Sequence, residues 1–265
     1  MKRLTTSAAG LAAAVLLLAG CGSPGGSGGS GGAVGAPSAG ASPVTYGCLT
    51  KEQGAKGAVT IPSGVGGVDA YYRDSDAGGA RVAIVLSHQN GGSLCDWVPY
   101  LDGFTGAGYA VLPFTANGDV ATGIESAAGY LKSRGITGLV LIGASKGGTG
   151  SLVAAALPGP LPVAAVVSLS GPESFGADNA ATAVKRLTVP VLFAVEEHDG
   201  TFAADARSLH AAAAPADKQL RIYPGANHGA QVLRDGALPD VQAFLATYAP
   251  PRGPTEGLTA AGVKG

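Results

Sequence analysis

The sequence predicts an α/β fold: a mostly parallel, doubly wound sheet of about eight strands, with helices on both faces and no large cap domain. Short runs rich in Val, Ile and Leu alternate with longer segments whose apolar residues recur at helical spacing, and this alternation is typical of parallel sheets. An apolar content of 46% supplies a core for one such domain. The connection at residues 171–188 has room for a short helix but not for an inserted domain.

The strands are predicted from runs that are short and apolar throughout, as expected of strands buried on both faces. These runs are Arg81–Ser87, Tyr109–Phe114, Leu139–Gly143, Val163–Leu169, Val189–Val195 and Gln219–Tyr223. Upstream, Ala58–Ile61 and Val68–Tyr72 flank a Gly-rich turn, which predicts an antiparallel hairpin at the sheet edge. Helical spacing is found in Val120–Arg134, Gly148–Leu157, Phe202–Ala213 and Val232–Tyr248.

The first 21 residues have the pattern of an export signal. Lys2 and Arg3 precede an apolar run at residues 11–18 that is too short to span a bilayer. The run ends in LAGC, which resembles the lipobox of bacterial lipoproteins and implies that Cys21 is lipidated after cleavage. We therefore expect a protein anchored by lipid to the extracytoplasmic face of the cell membrane. An ordinary secretory signal, giving a secreted protein, is the alternative.

The next segment is predicted to be a tether. Residues 22–55 are rich in Gly, Ser, Ala and Pro, residues 56–250 form the predicted domain, and residues 251–265 are assigned to a flexible tail. With Cys21 used for lipid, Cys48 and Cys95 remain as an even pair in an oxidising compartment. A disulfide between them is predicted, and two unpaired, packed thiols are the alternative.

Charge and composition limit the classes of ligand. The net charge is −1 and only 13% of residues are charged, so no basic patch for nucleic acid is expected. The cysteines lack zinc-site spacing, HExxH is absent from the sequence, and no dinucleotide fingerprint follows the first strand. Chemistry without a metal or cofactor is therefore expected, and the sequence does not indicate an oligomeric state.

The pattern Gly-x-Ser-x-Gly at Gly143–Gly147 marks a candidate nucleophile, Ser145. The same pattern occurs twice in GGSGGSGG at Gly25–Gly32, where neither a strand nor a helix adjoins it. Only at Ser145 does the pattern follow an apolar strand and precede a helix, which is the setting of a nucleophile elbow, a sharp turn that exposes a reactive serine. The alternative is that Ser145 only caps the helix that follows.

A serine nucleophile needs a histidine base. His228 is the best candidate of the four histidines, because it follows the last strand in a Gly-rich loop, at the sheet edge where catalytic loops collect. His210 lies in a helical, Ala-rich segment and His198 in a loop on the rim.

The acid that orients this base should come from the end of the preceding strand. Asp199 lies just past that strand, and Glu196 and Glu197 are its competitors. The resulting chain order, Ser145, Asp199, His228, is the one expected of an α/β-hydrolase rather than of trypsin-like or subtilisin-like proteases.

Residues 58–249 resemble a compact member of the α/β-hydrolase superfamily, near the small carboxylesterases and the dienelactone-hydrolase-like enzymes. The motifs that carry the resemblance are SHQNGGSLCDW, GASKGG, PVLFAVEEHDG and GANHG. The resemblance implies an oxyanion hole made by the backbone N–H groups of Asn90 and Lys146. Gln89 stands at the usual glycine position and is an alternative donor, and Glu196 also stands where many relatives have glycine.

The resemblance further implies a serine hydrolase that cleaves carboxylic esters, small or polymeric, through an acyl-enzyme and without a cofactor. Acyl transfer or peracid formation on the same triad is one alternative, and a surface-displayed binding protein without activity is another. Lys146 either extends to water or attracts an anionic substrate. Trp97 either packs a helix against the sheet or forms a wall of the acyl pocket.

Overall fold

The computed structural model describes residues 42–64 and 66–251. The predicted signal sequence, Cys21, residues 22–41 of the predicted tether and residues 252–265 of the predicted tail lie outside the described residues. Among the described residues, no helix is both long enough and apolar enough to cross a membrane.

Eight strands form one sheet. They are β1 (Ala58–Pro62), β2 (Gly67–Tyr71), β3 (Val82–Ser87), β4 (Ala110–Thr115), β5 (Gly138–Ala144), β6 (Val163–Leu169), β9 (Val191–Glu196) and β10 (Lys218–Tyr223). Their order across the sheet is β1-β2-β4-β3-β5-β6-β9-β10. The pairs β1–β2 and β2–β4 are antiparallel, and all pairs from β4 to β10 are parallel. The predicted fold class and edge hairpin are confirmed. A separate small hairpin joins β7 (Ser174–Phe175) and β8 (Asp178–Asn179).

Seven α-helices connect or flank these strands in the described chain. They are α1 (Lys51–Gly57), α2 (Leu101–Thr105), α3 (Val120–Ser133), α4 (Lys146–Ala155), α5 (Ala180–Ala183), α6 (Phe202–Ala212) and α7 (Leu238–Tyr248). A 3-10 helix at 94–100 precedes α2, and another at 184–186 follows α5. The 171–188 connection therefore holds a hairpin and short helices, with no inserted domain among its residues.

Two helical segments differ from the sequence prediction. Helix α1 lies inside the range assigned to the tether, where Thr50 and Gln53 form a reciprocal capping box and the adjacent Leu49 is buried. Folded structure therefore begins before residue 56. The predicted helix Val232–Tyr248 is interrupted, because Gly236 has φ 127° within a π-helical turn at 233–237 and α7 begins only after it.

The apolar core is divided between the two faces of the sheet. Successive side chains of a strand point to opposite faces, so that Ile84 and Val85 of β3 belong to different clusters. Helices α3, α4 and α6 cover one face, and the segment 94–105 with α7 covers the other. Because β3 and its neighbours run parallel, their carboxyl ends share one edge of the sheet, and the loops that leave this edge contain the candidate site.

The predicted pairing of Cys48 with Cys95 is confirmed. The two residues form a disulfide with a Cα–Cα distance of 5.7 Å. The bond joins the segment before α1 to the 3-10 helix at 94–100, which follows directly on the loop after β3.

Candidate active site

Ser145 lies at the turn between β5 and α4 in a conformation that L-residues rarely adopt. Its φ is 51° and its ψ is −119°. Such a backbone costs on the order of 1–3 kcal/mol and persists only where its surroundings hold it. Here the Ser145 N–H donates to the carbonyl of Leu169 at 2.8 Å. The Ser145 side chain makes no capping hydrogen bond, so the helix-cap alternative does not describe it.

Two glycines allow the tight turn around Ser145. A Cβ atom at Gly143 would overlap the backbone of Gly147, and a Cβ atom at Gly147 would overlap the carbonyl of Ser87. Any side chain at either position would therefore displace backbone. The close approach also seats the first turn of α4 against the end of β3.

His228 and Asp199 are in direct contact. The Nδ1 atom of His228 lies 2.9 Å and 3.0 Å from the two carboxylate oxygens of Asp199. Because a carboxylate only accepts, we assign the proton to Nδ1, which leaves Nε2 as an acceptor. The side chain of Asp199 is 6% exposed and that of His228 is 30% exposed. The Phe202 ring lies 4.3 Å from the imidazole, centroid to centroid, and packs against it.

The end of β6 holds the Ser145 turn and the His228 loop together. Leu169 accepts from the N–H of Ser145, and the next residue, Ser170, accepts from the N–H of Gly229 through its hydroxyl at 3.1 Å. A Cβ atom on Gly229 would lie 3.3 Å from that of Ala144. In the described chain, no hydrogen bond joins Ser145 to His228. Such bonds often tighten only when substrate is bound.

The competing candidates have other partners. Glu196 is fully buried and its Oε2 accepts from the N–H of Asn227 at 2.6 Å. The exposed side chains of Glu197 and His198 pair with each other at 3.1 Å. His210 packs edge-on against Phe193, with ring centroids 6.2 Å apart. Of the three carboxylates weighed from the sequence, Asp199 is the one bonded to His228.

The loop after β3 contains both predicted alternatives for the second oxyanion donor. The carbonyl of Gln89 accepts from the N–H of Gly92 at 3.0 Å, which closes a turn with Gly91 at φ 73° and places Asn90 at its exposed corner. Gln89 directly follows His88, whose backbone packs against Gly147. Neither Gln89 nor Asn90 donates its N–H within the described residues. Gln89 adjoins in sequence the His88 backbone that contacts Gly147, and Asn90 is one residue further along the chain.

His88 holds this loop in place. Its Nε2 accepts from the N–H of Ala116 at 3.0 Å, so its Nδ1 carries the proton and donates to the carbonyl of Gln89 at 2.6 Å. Burial lowers the pKa of His88, which favours the neutral ring that this arrangement requires. Burial also lowers the pKa of the nearby Lys146 ammonium. The structure gives Lys146 no carboxylate partner within its described part.

Ser170 was not singled out from the sequence. It is fully buried and has φ 52°, the second serine of the site with a positive φ. Its position directly after β6 is a usable signal, because polar residues at the carboxyl ends of parallel strands gather at one edge. Trp97 is fully buried in the same apolar cluster as residues of α7, so it packs in the core, which is one of its two predicted roles.

A separate cavity of about 610 Å³ lies between α3 and α4. Its lining includes Asp119 and Asp178 but none of Ser145, Asp199 and His228. Burial, together with the carboxylate of Asp119, raises the pKa of Asp178 to about 6. Among the residues that the structure describes, no group of three or more His, Cys, Asp or Glu side chains could hold a metal ion.

Solved structures with a similar fold come from several organisms. Dienelactone hydrolase from Anabaena variabilis is 22% identical, with a TM-score of 0.60 over 72% of this chain and 96% of that chain. An esterase domain from Rhodothermus marinus is 19% identical, with a TM-score of 0.60 over 72% of this chain and 98% of that chain. This chain has the α/β-hydrolase fold. An esterase of Pyrococcus furiosus is 15% identical and shares that fold, with a TM-score of 0.60 over 72% of this chain and 91% of that chain.

A comparison with models of protein families also gives a match. The model of the dienelactone hydrolase family matches residues 113–239, a part of the α/β-hydrolase fold that runs from β4 into α7 and includes Ser145, Asp199 and His228. A comparison with curated proteins finds no match.

Proposed function

We propose that this protein is a serine hydrolase that cleaves carboxylic esters, with Ser145 as nucleophile, His228 as base and Asp199 as the acid that orients it. The observation that carries the proposal is the placement of His228 Nδ1 against both oxygens of Asp199, beside the strained turn of Ser145. The match to the dienelactone hydrolase family and the esterases among the similar structures support an ester as substrate.

In the proposed acylation step, the Ser145 hydroxyl attacks the ester carbonyl carbon while Nε2 of His228 takes its proton. The resulting imidazolium is stabilised by Asp199, which accepts from Nδ1. The tetrahedral intermediate then collapses, the carbon–oxygen bond to the alcohol breaks, and His228 returns the proton to the departing alkoxide. An acyl-enzyme on Ser145 and a free alcohol remain.

Deacylation repeats the same proton transfers with water. His228 removes a proton from water as it attacks the acyl carbon, and then protonates Ser145 as the free acid leaves. In both steps an oxyanion forms, and the backbone N–H groups of Lys146 and Gln89 are the proposed donors to it. Gln89 is preferred over Asn90 because it adjoins the backbone of His88 that packs against Gly147.

We also propose that the enzyme acts outside the cytoplasm, anchored through lipid on Cys21. The basis is the lipobox-like LAGC, and the Cys48–Cys95 disulfide suits an oxidising compartment. The test is fractionation of cells that express the full chain. Wild type should sediment with membranes, and Cys21→Ser should not. Equal partition of the two proteins would contradict lipid anchoring.

The proposed reaction is tested with p-nitrophenyl esters of graded acyl length. Wild type should release p-nitrophenol and the free acid, and Ser145→Ala should lower kcat by at least about 10⁴-fold, with the residual rate supplied by the oxyanion hole and substrate binding. A wild-type protein without activity on the whole panel, or a Ser145→Ala variant as active as wild type, would overturn the proposal.

A further inference from the structure

Three side chains from three different strand ends accept hydrogen bonds from the backbone on both sides of His228. Glu196, at the end of β9, accepts from the N–H of Asn227 at 2.6 Å. Ser170, after β6, accepts from the N–H of Gly229 at 3.1 Å, and Gln89, after β3, accepts from the N–H of Ala230 at 3.3 Å. The backbone on either side of His228 is thus held from three directions.

These contacts hold backbone that would otherwise lack partners. A buried N–H that loses its acceptor costs roughly 1–3 kcal/mol, so each contact favours one conformation of the loop. The imidazole of His228 has to stay aligned with both Asp199 and the Ser145 hydroxyl, and a displacement of about 1 Å can cost roughly 100-fold in rate.

Glu196 makes the shortest of the three contacts. It lies against Gly225, where φ is 128° and a Cβ atom would overlap the carboxylate. The same stretch is fixed by the His198 N–H, which donates to the carbonyl of Gly225 at 2.9 Å. The other oxygen of Glu196, Oε1, is buried and has no partner in the described chain.

We propose that Glu196 is a positioning residue that holds His228 in its working orientation through the backbone N–H of Asn227, with Ser170 and Gln89 as weaker supports. The proposal rests on the proposed function, since it assigns Glu196 a part in the same reaction. Within the described residues, the Glu196 side chain makes no hydrogen bond to the imidazole or to Asp199; its backbone carbonyl accepts from the N–H of Asp199 at 3.2 Å. It therefore acts on the geometry of the base rather than as the acid of a triad.

Two conservative variants distinguish the effect of the length of the Glu196 side chain from the effect of its charge. Glu196→Gln keeps an oxygen at the same distance from the Asn227 N–H but loses the charge, whereas Glu196→Asp keeps the charge and is one methylene too short. If Glu196 positions His228, the Glu196→Gln variant should retain kcat within about threefold. The Glu196→Asp variant should have a kcat lower by roughly 10–100-fold at unchanged KM. Glu197→Gln, next in sequence but exposed, is the matched control and should match wild type.

The opposite order would overturn the proposal. If Glu196→Asp preserved kcat and Glu196→Gln lowered it, the charge of the residue 196 side chain would matter rather than its length. If both variants equalled wild type, Glu196 would have no part in the reaction. The melting temperature of each variant, measured alongside, ensures that kcat is compared between folded proteins.

A readout without turnover separates this proposal from the proposed function. Amide hydrogen exchange at Asn227 should become faster in Glu196→Asp and stay close to the wild-type rate in Glu196→Gln. If wild type hydrolysed no ester, the proposed function would fail. The exchange pattern would still show whether Glu196 restrains the backbone at Asn227. Equal exchange rates at Asn227 in wild type and in Glu196→Asp would show that Glu196 does not restrain this backbone.

Discussion

Both carboxylate oxygens of Asp199 lie within 3.0 Å of Nδ1 of His228, although the two residues are 29 positions apart in the chain. The contact joins the loop after β9 to the loop after β10, strands that are neighbours in the sheet. It fixes which ring nitrogen carries the proton and leaves the other as an acceptor.

Replacing Asp199 by Asn should therefore lower kcat by about 10⁴-fold, as in other triads, because the amide can donate to Nδ1 and favours the wrong tautomer. The measurement is the steady-state rate of ester hydrolysis. Asp217→Asn, on the exposed turn before β10, is the control and should leave the rate unchanged. A Glu196→Gln variant that lost this much activity while Asp199→Asn did not would move the acid to Glu196.

The elbow should tolerate no side chain at Gly147. In Gly147→Ala, the Cβ atom would overlap the carbonyl of Ser87, so we expect a loss of stability of more than about 1 kcal/mol and a lower rate of ester hydrolysis. Gly129→Ala is the matched control, because Gly129 is exposed on α3 with nothing near its would-be Cβ. That change should stabilise by up to about 1 kcal/mol. Thermal unfolding of both variants checks the contrast, and a stabilised Gly147→Ala would contradict the close approach.

The disulfide should contribute strongly to stability, since Cys48 and Cys95 are separated by 47 residues. The chain-entropy model gives about 4 kcal/mol for a loop of this length. Reduction should therefore lower the melting temperature of wild type. A double Cys48→Ser, Cys95→Ser variant should melt at the lower temperature with or without reductant. An unchanged melting temperature after complete reduction would contradict this expectation.

Stability should also depend on the protonation of Asp178. Its pKa is raised from 3.8 to about 6 by burial and by Asp119, so the folded state binds more protons than the unfolded state between these two pH values. Stability is therefore lost as pH rises through this window, and the loss is complete above about pH 6. Asp178→Asn should melt higher than wild type at pH 8, and the difference should vanish near pH 4. An equal difference at both pH values would contradict the shift.

The fold was predictable from local patterns because the strands are buried on both faces. The predicted run Arg81–Ser87 corresponds to β3 at Val82–Ser87, and the run Val163–Leu169 has the same bounds as β6. Short helices were harder to predict. Residues 94–105 have apolar residues at helical spacing, but Pro99 and Gly103 interrupt the run, and the segment divides into a 3-10 helix and α2. The break before α7 depends on the positive φ of Gly236, which only the packed chain reveals.

The candidate site was predictable to the extent that strand ends place residues at one edge. That rule brings together Ser145, Asp199 and His228 without knowledge of any contact. It does not give the partners of Glu196, which was weighed as an acid and is instead bonded to the Asn227 N–H. Nor does it indicate that Gln89 bonds the backbone beyond His228, because that contact spans 141 positions and depends on how two loops meet.

Reaction with a fluorophosphonate shows whether Ser145 is a nucleophile activated by His228. The probe should form one covalent bond to Ser145 with loss of fluoride, seen as a single adduct on the intact folded protein and located by peptide mapping. Ser145→Ala should remain unlabelled. If wild type took up no probe, or if Ser145→Ala were labelled as fast as wild type, Ser145 would not be the nucleophile.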